Sequence, residues 1–298
     1  MCRWLSFGRA LAARGSRSTR RPFVLAALIL LGVGPTLAAQ PLPSTDGERA
    51  WAAGHEAALR GRADSAITAF REALRLSQQD RDQELASASR LGMAEVFDVW
   101  YRCVDSARTA YEDAVRLTSE GDYAAADAYV LWLARRGQQA EARALHARTY
   151  QPIENSVPRS ITRESVNFLL GLAAIQISNS SRSGALSSLI SARDIANRLA
   201  VGDVEEAEAA NGGVTTANYW ALHDLAELQL DARSGSVRNV GAGRALRTKL
   251  DAATVSDNGG HPRFSVGRLA DRVARQRRVC AGGRCAAPPP PPTRPRCP

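Results

Sequence analysis

Motifs for the common kinds of catalysis are missing from this sequence of 298 residues. Its four histidines are isolated from one another, and none completes the His-Glu-x-x-His pattern of metalloproteases. The single lysine, Lys249, follows no glycine-rich phosphate loop, and no Gly-x-Ser-x-Gly nucleophile elbow is present. These absences predict a chain without catalytic residues, without a metal site and without a cofactor.

Positive charge is unevenly distributed, although the whole chain has a formal net charge of +9. Residues 1–39 contain six arginines and no acidic residue, and residues 261–298 contain nine arginines and one aspartate. Residues 40–260 therefore carry a net charge of −5. A groove for nucleic acid needs clustered basic residues, so we expect no nucleic-acid partner.

The first 39 residues have the three-part pattern of a secretory signal peptide. An arginine-rich leader precedes an apolar run at residues 23–34, and small residues follow, which predicts cleavage after Ala38 or Ala39. This run spans roughly 18 Å as a helix, whereas a bilayer core is about 30 Å thick. We therefore expect export to the periplasm or the extracellular cell envelope of a bacterium, by the Sec or the twin-arginine route, with no stable membrane span after cleavage.

A segment of thirteen residues occurs twice, because residues 64–76 and 105–117 share eight of thirteen amino acids. In both copies an aromatic ring lies between two alanines on one helical stripe, with the spacing Ala-x-x-x-Phe/Tyr-x-x-Ala. Small residues let two helix axes come close, and the ring fills the space beside them. With a later, weaker copy that has leucine in place of the ring, the predicted packing positions are Ala66, Phe70, Ala73, Ala107, Tyr111, Ala114, Ala185, Leu189 and Ala192.

This spacing resembles the second helix of a tetratricopeptide repeat, a helix–turn–helix unit of about 34 residues. The resemblance implies an all-α fold, an α-solenoid of stacked antiparallel helix pairs with about ten helices in residues 45–279. Thr45 and Glu48 have capping-box spacing at the start of the first helix. No alternating apolar and polar run predicts a strand. An unrelated alanine-rich helical bundle is the alternative.

The chain divides into four segments on this interpretation. After the signal peptide at 1–39, residues 40–150 carry the stronger repeats and residues 151–279 carry degenerate ones. Residues 280–298 are rich in proline and cysteine, which predicts a disordered, solvated tail that is either a spacer or a docking segment. Two of the tail thiols can form one disulfide in an oxidising compartment, whereas Cys103 is expected to be a small buried residue. The tail cysteines are Cys280, Cys285 and Cys297.

The resemblance also implies a binding site, because first helices of tetratricopeptide repeats line a concave groove that holds a peptide from another protein. The family's groove positions fall in three first helices, on Glu48, Trp51, His55, Leu59, Val96, Val99, Trp100, Tyr129 and Trp132. The alternative is that these rings only fill the space between repeats. Three hypotheses for function remain: a noncatalytic exported scaffold that binds a partner protein or peptide, an accessory spacer or adaptor module of a surface or secretion complex, or a helical enzyme such as a polysaccharide lyase.

Overall fold

All regular secondary structure in the described part of the chain is helical. The computed structural model describes residues 45–118, 123–151, 162–199, 216–252, 268–281, 285–293 and 297. The predicted signal peptide, with its cleavage sites Ala38 and Ala39, lies outside the described residues. None of the described helices combines the length and the apolar character that crossing a membrane requires.

Eleven α-helices follow one another along these described ranges. Two short irregular helical turns supplement them, Phe97–Tyr101 with π geometry after the third helix and Ala232–Val237 with 3-10 geometry after the ninth. The helices are α1 (Asp46–Leu59), α2 (Ala63–Asp80), α3 (Gln83–Val96), α4 (Val104–Leu117), α5 (Ala124–Arg135), α6 (Gln139–Tyr150), α7 (Arg163–Ser178), α8 (Arg182–Leu199), α9 (Thr216–Leu230), α10 (Val240–Ala252) and α11 (Leu269–Cys280).

The first ten helices pack as five antiparallel pairs, from α1 with α2 to α9 with α10. Each second helix also contacts the first helix of the next pair, and each first helix contacts the next first helix. This is the contact pattern of a solenoid, so the expected all-α stack of helix pairs is confirmed. We call the side formed by α1, α3, α5, α7 and α9 the first-helix face.

Local sequence signals set where the early helices begin and end. Thr45 Oγ1 accepts a hydrogen bond from the Glu48 N–H (3.1 Å), and the Glu48 carboxylate accepts one from the Thr45 N–H (2.8 Å). The predicted capping box is therefore present. Gly61 turns the chain from α1 into α2, and Gly137 turns it from α5 into α6, both with φ +75°. Glycine is favoured at these two positions because other residues are strained at that φ.

The repeated stripe of alanines and rings lies between the packed helices. All nine of its residues are buried, with at most 4% of each exposed: Ala66, Phe70, Ala73, Ala107, Tyr111, Ala114, Ala185, Leu189 and Ala192. Gly54 of α1 and Gly92 of α3 both face the ring of Phe70, and a Cβ at either position would lie within 2.8 Å of a ring carbon. The absence of a side chain on both neighbouring helices therefore makes the space that this ring fills.

Two large apolar clusters form most of the described core. The first is built mainly from α1–α6, and the second is built from α7, α8 and α9. The change from one to the other falls near residue 150, where the sequence predicts a boundary, although Pro41–Pro298 form one compact unit. Leu269 and Val273 of α11 belong to the first cluster. The last helix of the described residues therefore packs against the first repeats.

Candidate functional site

The last described helix, α11, lies across the first-helix face instead of adding another pair to the stack. Its C-terminal half also contacts the second helix α10, where Arg275 donates to the Leu250 carbonyl oxygen (3.2 Å) and Arg278 pairs with Asp251 (3.1 Å). This helix and the residue before it make polar contacts with four of the five first helices, and each contact is with a different helix. The contacts are Arg272 with His55 (α1), the Leu269 N–H with Glu95 (α3, 2.7 Å), Asp271 with Arg135 (α5, 2.6 Å) and Arg268 with Asp224 (α9, 2.5 Å).

One side of α11 supplies apolar anchors for this position. Leu269 and Val273 are four residues apart, so they lie on the same side of the helix, and each is 2% exposed. Ala270 and Ala274 are exposed on the same helix. α11 is therefore an amphipathic helix whose apolar side is covered by the first-helix face.

The N-terminus of α11 receives its cap from another helix. Arg268, the residue before α11, has φ +68° and its side chain makes no capping hydrogen bond. Instead, the buried carboxylate of Glu95 in α3 accepts the first free N–H of the helix, that of Leu269. A negative group at a helix N-terminus satisfies unpaired N–H groups and interacts favourably with the helix dipole. Glu95 thus fixes where α11 begins on the face.

The environment of Glu95 favours its protonated form. Burial raises the pKa of this carboxyl to about 7, and the nearby carboxylates Asp98 and Asp271 act in the same direction. The hydrogen bond from the Leu269 N–H and the charge of Arg272 oppose the rise in pKa but do not cancel it. The contact between α3 and α11 therefore includes a group that titrates near neutral pH.

His55 contacts α11 as a neutral ring. Its imidazole is half-buried and stacks on the indole of Trp51, with ring centroids 5.3 Å apart. Burial, and then the charge of Arg272, lower the pKa of His55 to about 3. The unprotonated Nε2 can therefore accept the hydrogen bond from the Arg272 guanidinium.

The contact with α9 is a buried ion pair. The Arg268 guanidinium donates two hydrogen bonds to the Asp224 carboxylate (2.5 and 2.7 Å) and lies over the Trp220 ring, 4.6 Å from its centroid. Burial alone would raise the pKa of Asp224, but Arg268 and His223 outweigh burial and hold this pKa well below its usual range. Both partners are largely hidden from solvent, so each charge depends on the other.

A cavity of about 300 Å³ lies between α3, α5 and α11. Its charged lining residues are already engaged with protein groups: Asp98 pairs with Arg136 (2.5 Å), and Arg135 pairs with Asp271 of α11. The Arg136 guanidinium also lies over the ring of Trp132, 4.7 Å from the centroid. No histidine lines this cavity, and the described residues contain no group of three His, Cys, Asp or Glu side chains suited to a metal ion.

Most residues assigned to a partner groove from the sequence do not form an open surface. Five of them are buried, with 0–7% exposed: Trp51, Val96, Trp100, Tyr129 and Trp132. For these five, the structure agrees with the alternative that the side chains fill space between helices. Leu59 and Val99 are partly buried against the core, and Glu48 serves the capping box of α1. His55 alone of the nine forms a polar contact with α11.

The residues that hold α11 by charge were not identified from the sequence. Glu95, Arg135 and Asp224 lie on three different first helices and share no motif with one another. The sequence of α11 itself does carry a signal for docking. It combines arginines with apolar residues four apart, in a region of strong positive charge. That pattern is typical of an amphipathic helix that docks on an acidic body.

The cysteine-rich end also departs from expectation. Cys103 at the start of α4 is bonded to Cys297, so it is not the free buried thiol that the sequence suggests. Cys280 at the end of α11 is bonded to Cys285, so the one disulfide expected between two tail thiols is present. Pro288 is buried, so the prediction of a wholly solvated tail is wrong for this residue. The end of the chain returns to the first repeats.

Comparison with other proteins adds no relative to this picture. No family model, no curated protein and no solved structure matches the chain.

Proposed function

We propose that the chain is an exported, noncatalytic helical-repeat scaffold of the tetratricopeptide kind that binds an amphipathic helix of a partner protein on its first-helix face. The observation that carries this proposal is the position of α11, which lies on four first helices at once. In the absence of a partner, α11 occupies the face. A partner helix binds by taking its place.

The contacts of α11 define the chemistry that a partner helix has to present. Two apolar side chains four residues apart fill the positions of Leu269 and Val273. An acidic side chain in the place of Asp271 meets Arg135, and a basic one in the place of Arg272 meets His55. Grooves that bind helices commonly read such anchors at spacings of three and four residues.

Two observations support export and the absence of catalysis. All four cysteines outside the predicted signal peptide are disulfide-bonded, which is typical of proteins in an oxidising compartment. The acids and bases around the cavity between α3, α5 and α11 neutralise one another or cap α11. A structural role therefore accounts for each of these charges without acid–base chemistry.

The test uses a fluorescent peptide with the sequence of residues 268–281, in which Cys280→Ser removes the thiol, and two full-chain variants. In the Leu269→Asp variant, a new carboxylate lies beside the buried Glu95 and displaces the chain's own α11. Ala274→Asp is the matched control, because it adds the same charge to an exposed position of the same helix. Fluorescence anisotropy then measures peptide binding to each protein.

We expect the Leu269→Asp chain to bind the peptide at least tenfold more tightly than wild type or the Ala274→Asp chain, because only its face is vacant. A peptide that itself carries Leu269→Asp is not expected to bind. Circular dichroism establishes that α1–α10 stay helical in all three proteins, with a loss of no more than α11 (12 residues) in the Leu269→Asp chain. A third variant, Val273→Asp, provides a second way to vacate the face. Equal binding by the variants and the control would refute the proposal.

A further inference from the structure

The run of five prolines at residues 288–292 lies against the α1–α2 turn and the π-helical turn Phe97–Tyr101 that follows α3. Pro288 is buried, and the ring of Pro289 packs on Gly61. The approach is so close that a Cβ at residue 61 would lie 2.6 Å from Pro289 Cγ and 3.3 Å from the Trp100 ring. Only a residue without a side chain leaves room for the proline ring here.

Polar contacts to this segment are made through its carbonyl groups. The Arg102 guanidinium donates to the Pro292 carbonyl oxygen (3.3 Å), and the Arg277 guanidinium donates to that of Pro288 (3.2 Å). Proline has no N–H, so a run of prolines offers only its rings and its carbonyl oxygens to a binding surface. Both kinds of group are engaged here.

The aromatic side chains beneath the prolines are held in place by the repeats. Trp100 Nε1–H donates to the Ala58 carbonyl oxygen (2.8 Å), and the Tyr101 hydroxyl donates to Asp64. Together with prolines of the segment, these two rings line a cleft of about 540 Å³. Proline-rich segments commonly dock on aromatic-lined surfaces, and because such a segment is already stiff, it loses little conformational entropy on binding.

We propose that Gly61, Trp100, Tyr101 and Arg102 form a polyproline-binding site whose ligand is the chain's own residues 288–292. This proline site acts as a latch, because it holds the end of the chain beside Cys103. Cys297 follows the last proline of the run by five residues, and it is bonded to Cys103. Because α11 ends at Cys280, eight positions before Pro288, and its Arg277 donates to the Pro288 carbonyl oxygen, the latch keeps α11 on the first-helix face. That last consequence rests on the proposed function, whereas the proline site itself does not.

The chain contains a matched control for Gly61. Gly137 has the same φ of +75°, and each glycine follows its helix with the same pair of backbone hydrogen bonds. In both turns the glycine N–H donates to the carbonyl oxygen three residues before the glycine (3.0 Å). The N–H of the residue after the glycine donates to the carbonyl oxygen four residues before the glycine (2.9 Å). No atom lies within 4 Å of a Cβ at residue 137. Alanine therefore strains both turns equally but clashes with a proline only at residue 61.

The test measures how strongly the docked segment favours the Cys103–Cys297 disulfide in the full chain. Proteins are equilibrated in buffers of reduced and oxidised glutathione, in which two thiols and one oxidised glutathione give the disulfide and two molecules of reduced glutathione. Acid quenching and peptide mapping give the fraction of this bond. Docking of residues 288–292 holds the Cys297 thiol near the Cys103 thiol, so it raises the effective concentration of one thiol at the other.

We expect Gly61→Ala to lower the equilibrium constant for this bond at least tenfold and Gly137→Ala to leave it within twofold of wild type. Replacing all five prolines with serine, which alters no residue of the repeats, is expected to have the same effect as Gly61→Ala. Equal constants for the two glycine variants, or no change in the serine variant, would overturn the proline site. Binding of the α11 peptide is measured separately, so loss of the proposed function gives a different result from loss of this site.

Discussion

Replacing Glu95 with glutamine is expected to stabilise the chain in mildly alkaline solution and to leave its stability unchanged in acid. Glu95 is 5% exposed, and burial raises its pKa from 4.5 to about 7. The pKa of Glu95 is higher in the folded chain than in the unfolded chain. Its carboxyl therefore contributes to the stability of the fold below pH 4.5, and this contribution is lost as the pH rises through 7. The difference between the two pKa values corresponds to about 3 kcal/mol at pH 8.

Glutamine keeps an oxygen that can accept the Leu269 N–H, so the change removes the charge while preserving the cap of α11. The charged groups that face Glu95 are Asp98 after α3 and Asp271 and Arg272 on α11. These three groups are the same in both proteins, so the comparison isolates the effect of the Glu95 carboxyl. Urea unfolding followed by circular dichroism at pH 4.5 and pH 8 measures the difference in the free energy of unfolding.

At pH 8 the Glu95→Gln chain is expected to be more stable by about 3 kcal/mol, which corresponds to roughly 6–12 °C in the melting temperature of a domain of this size. Glu56→Gln is the control, since Glu56 is exposed and its pair with Arg60 (2.5 Å) lies on the surface. The control is expected to change stability by less than about 1 kcal/mol. A Glu95→Gln chain that is less stable than wild type at pH 8 would refute the reasoning, because the ionised carboxylate would then be a net stabilising group.

Three further substitutions test the packing and the covalent links, each by urea unfolding at pH 7. Arg268→Ala removes the ion-pair partner of the buried Asp224 carboxylate and leaves it only the hydrogen bond with His223, and we expect a loss of about 3–5 kcal/mol. Gly92→Ala places a Cβ 2.5 Å from the Phe70 ring, and we expect a loss of about 1–3 kcal/mol from overpacking. Cys103→Ser opens a loop closed across a sequence separation of 194 residues, and the chain-entropy relation gives a loss of about 5 kcal/mol.

Each of these substitutions has a control of the same type. Arg233→Ala removes a side chain that is 81% exposed, so a loss below about 1 kcal/mol is expected. Gly241→Ala adds a Cβ with its nearest neighbour at 3.7 Å, and no loss is expected. Cys280→Ser opens a loop with a separation of only five residues, for which the same relation gives about 2 kcal/mol. A control that loses as much stability as its partner substitution would contradict the corresponding argument.

The helix pairs were accessible from the sequence because their signals are local. The spacing of Ala66, Phe70 and Ala73 recurs within a short segment, and each copy by itself defines one side of a helix. The capping box of Thr45 and Glu48 spans four residues, and it is present as expected. Signals of this kind depend only on helix geometry, which is the same wherever the helix packs.

The position of α11 was not accessible in this way. The hydrogen bond between the Leu269 N–H and Glu95 joins residues 174 positions apart, and the disulfide of Cys103 joins residues 194 positions apart. No spacing rule links such distant residues, and Glu95 looks in the sequence like any acidic residue of a helix. The high proline content near the end correctly excludes a helix there. It does not exclude docking, because Gly61 makes room for a proline ring on the surface of the repeats.

Amide hydrogen exchange of residues 269–280 in the full chain tests most directly whether α11 occupies the first-helix face. An isolated helix of this length is at best marginally stable in water, so slow exchange of its amides requires the contacts with the face. We predict that amides in α11 exchange as slowly as those of α3 and α5, and that Leu269→Asp abolishes this protection in α11 while the repeats stay protected. Exchange in the wild-type chain as fast as in a free peptide of the same sequence would contradict the account.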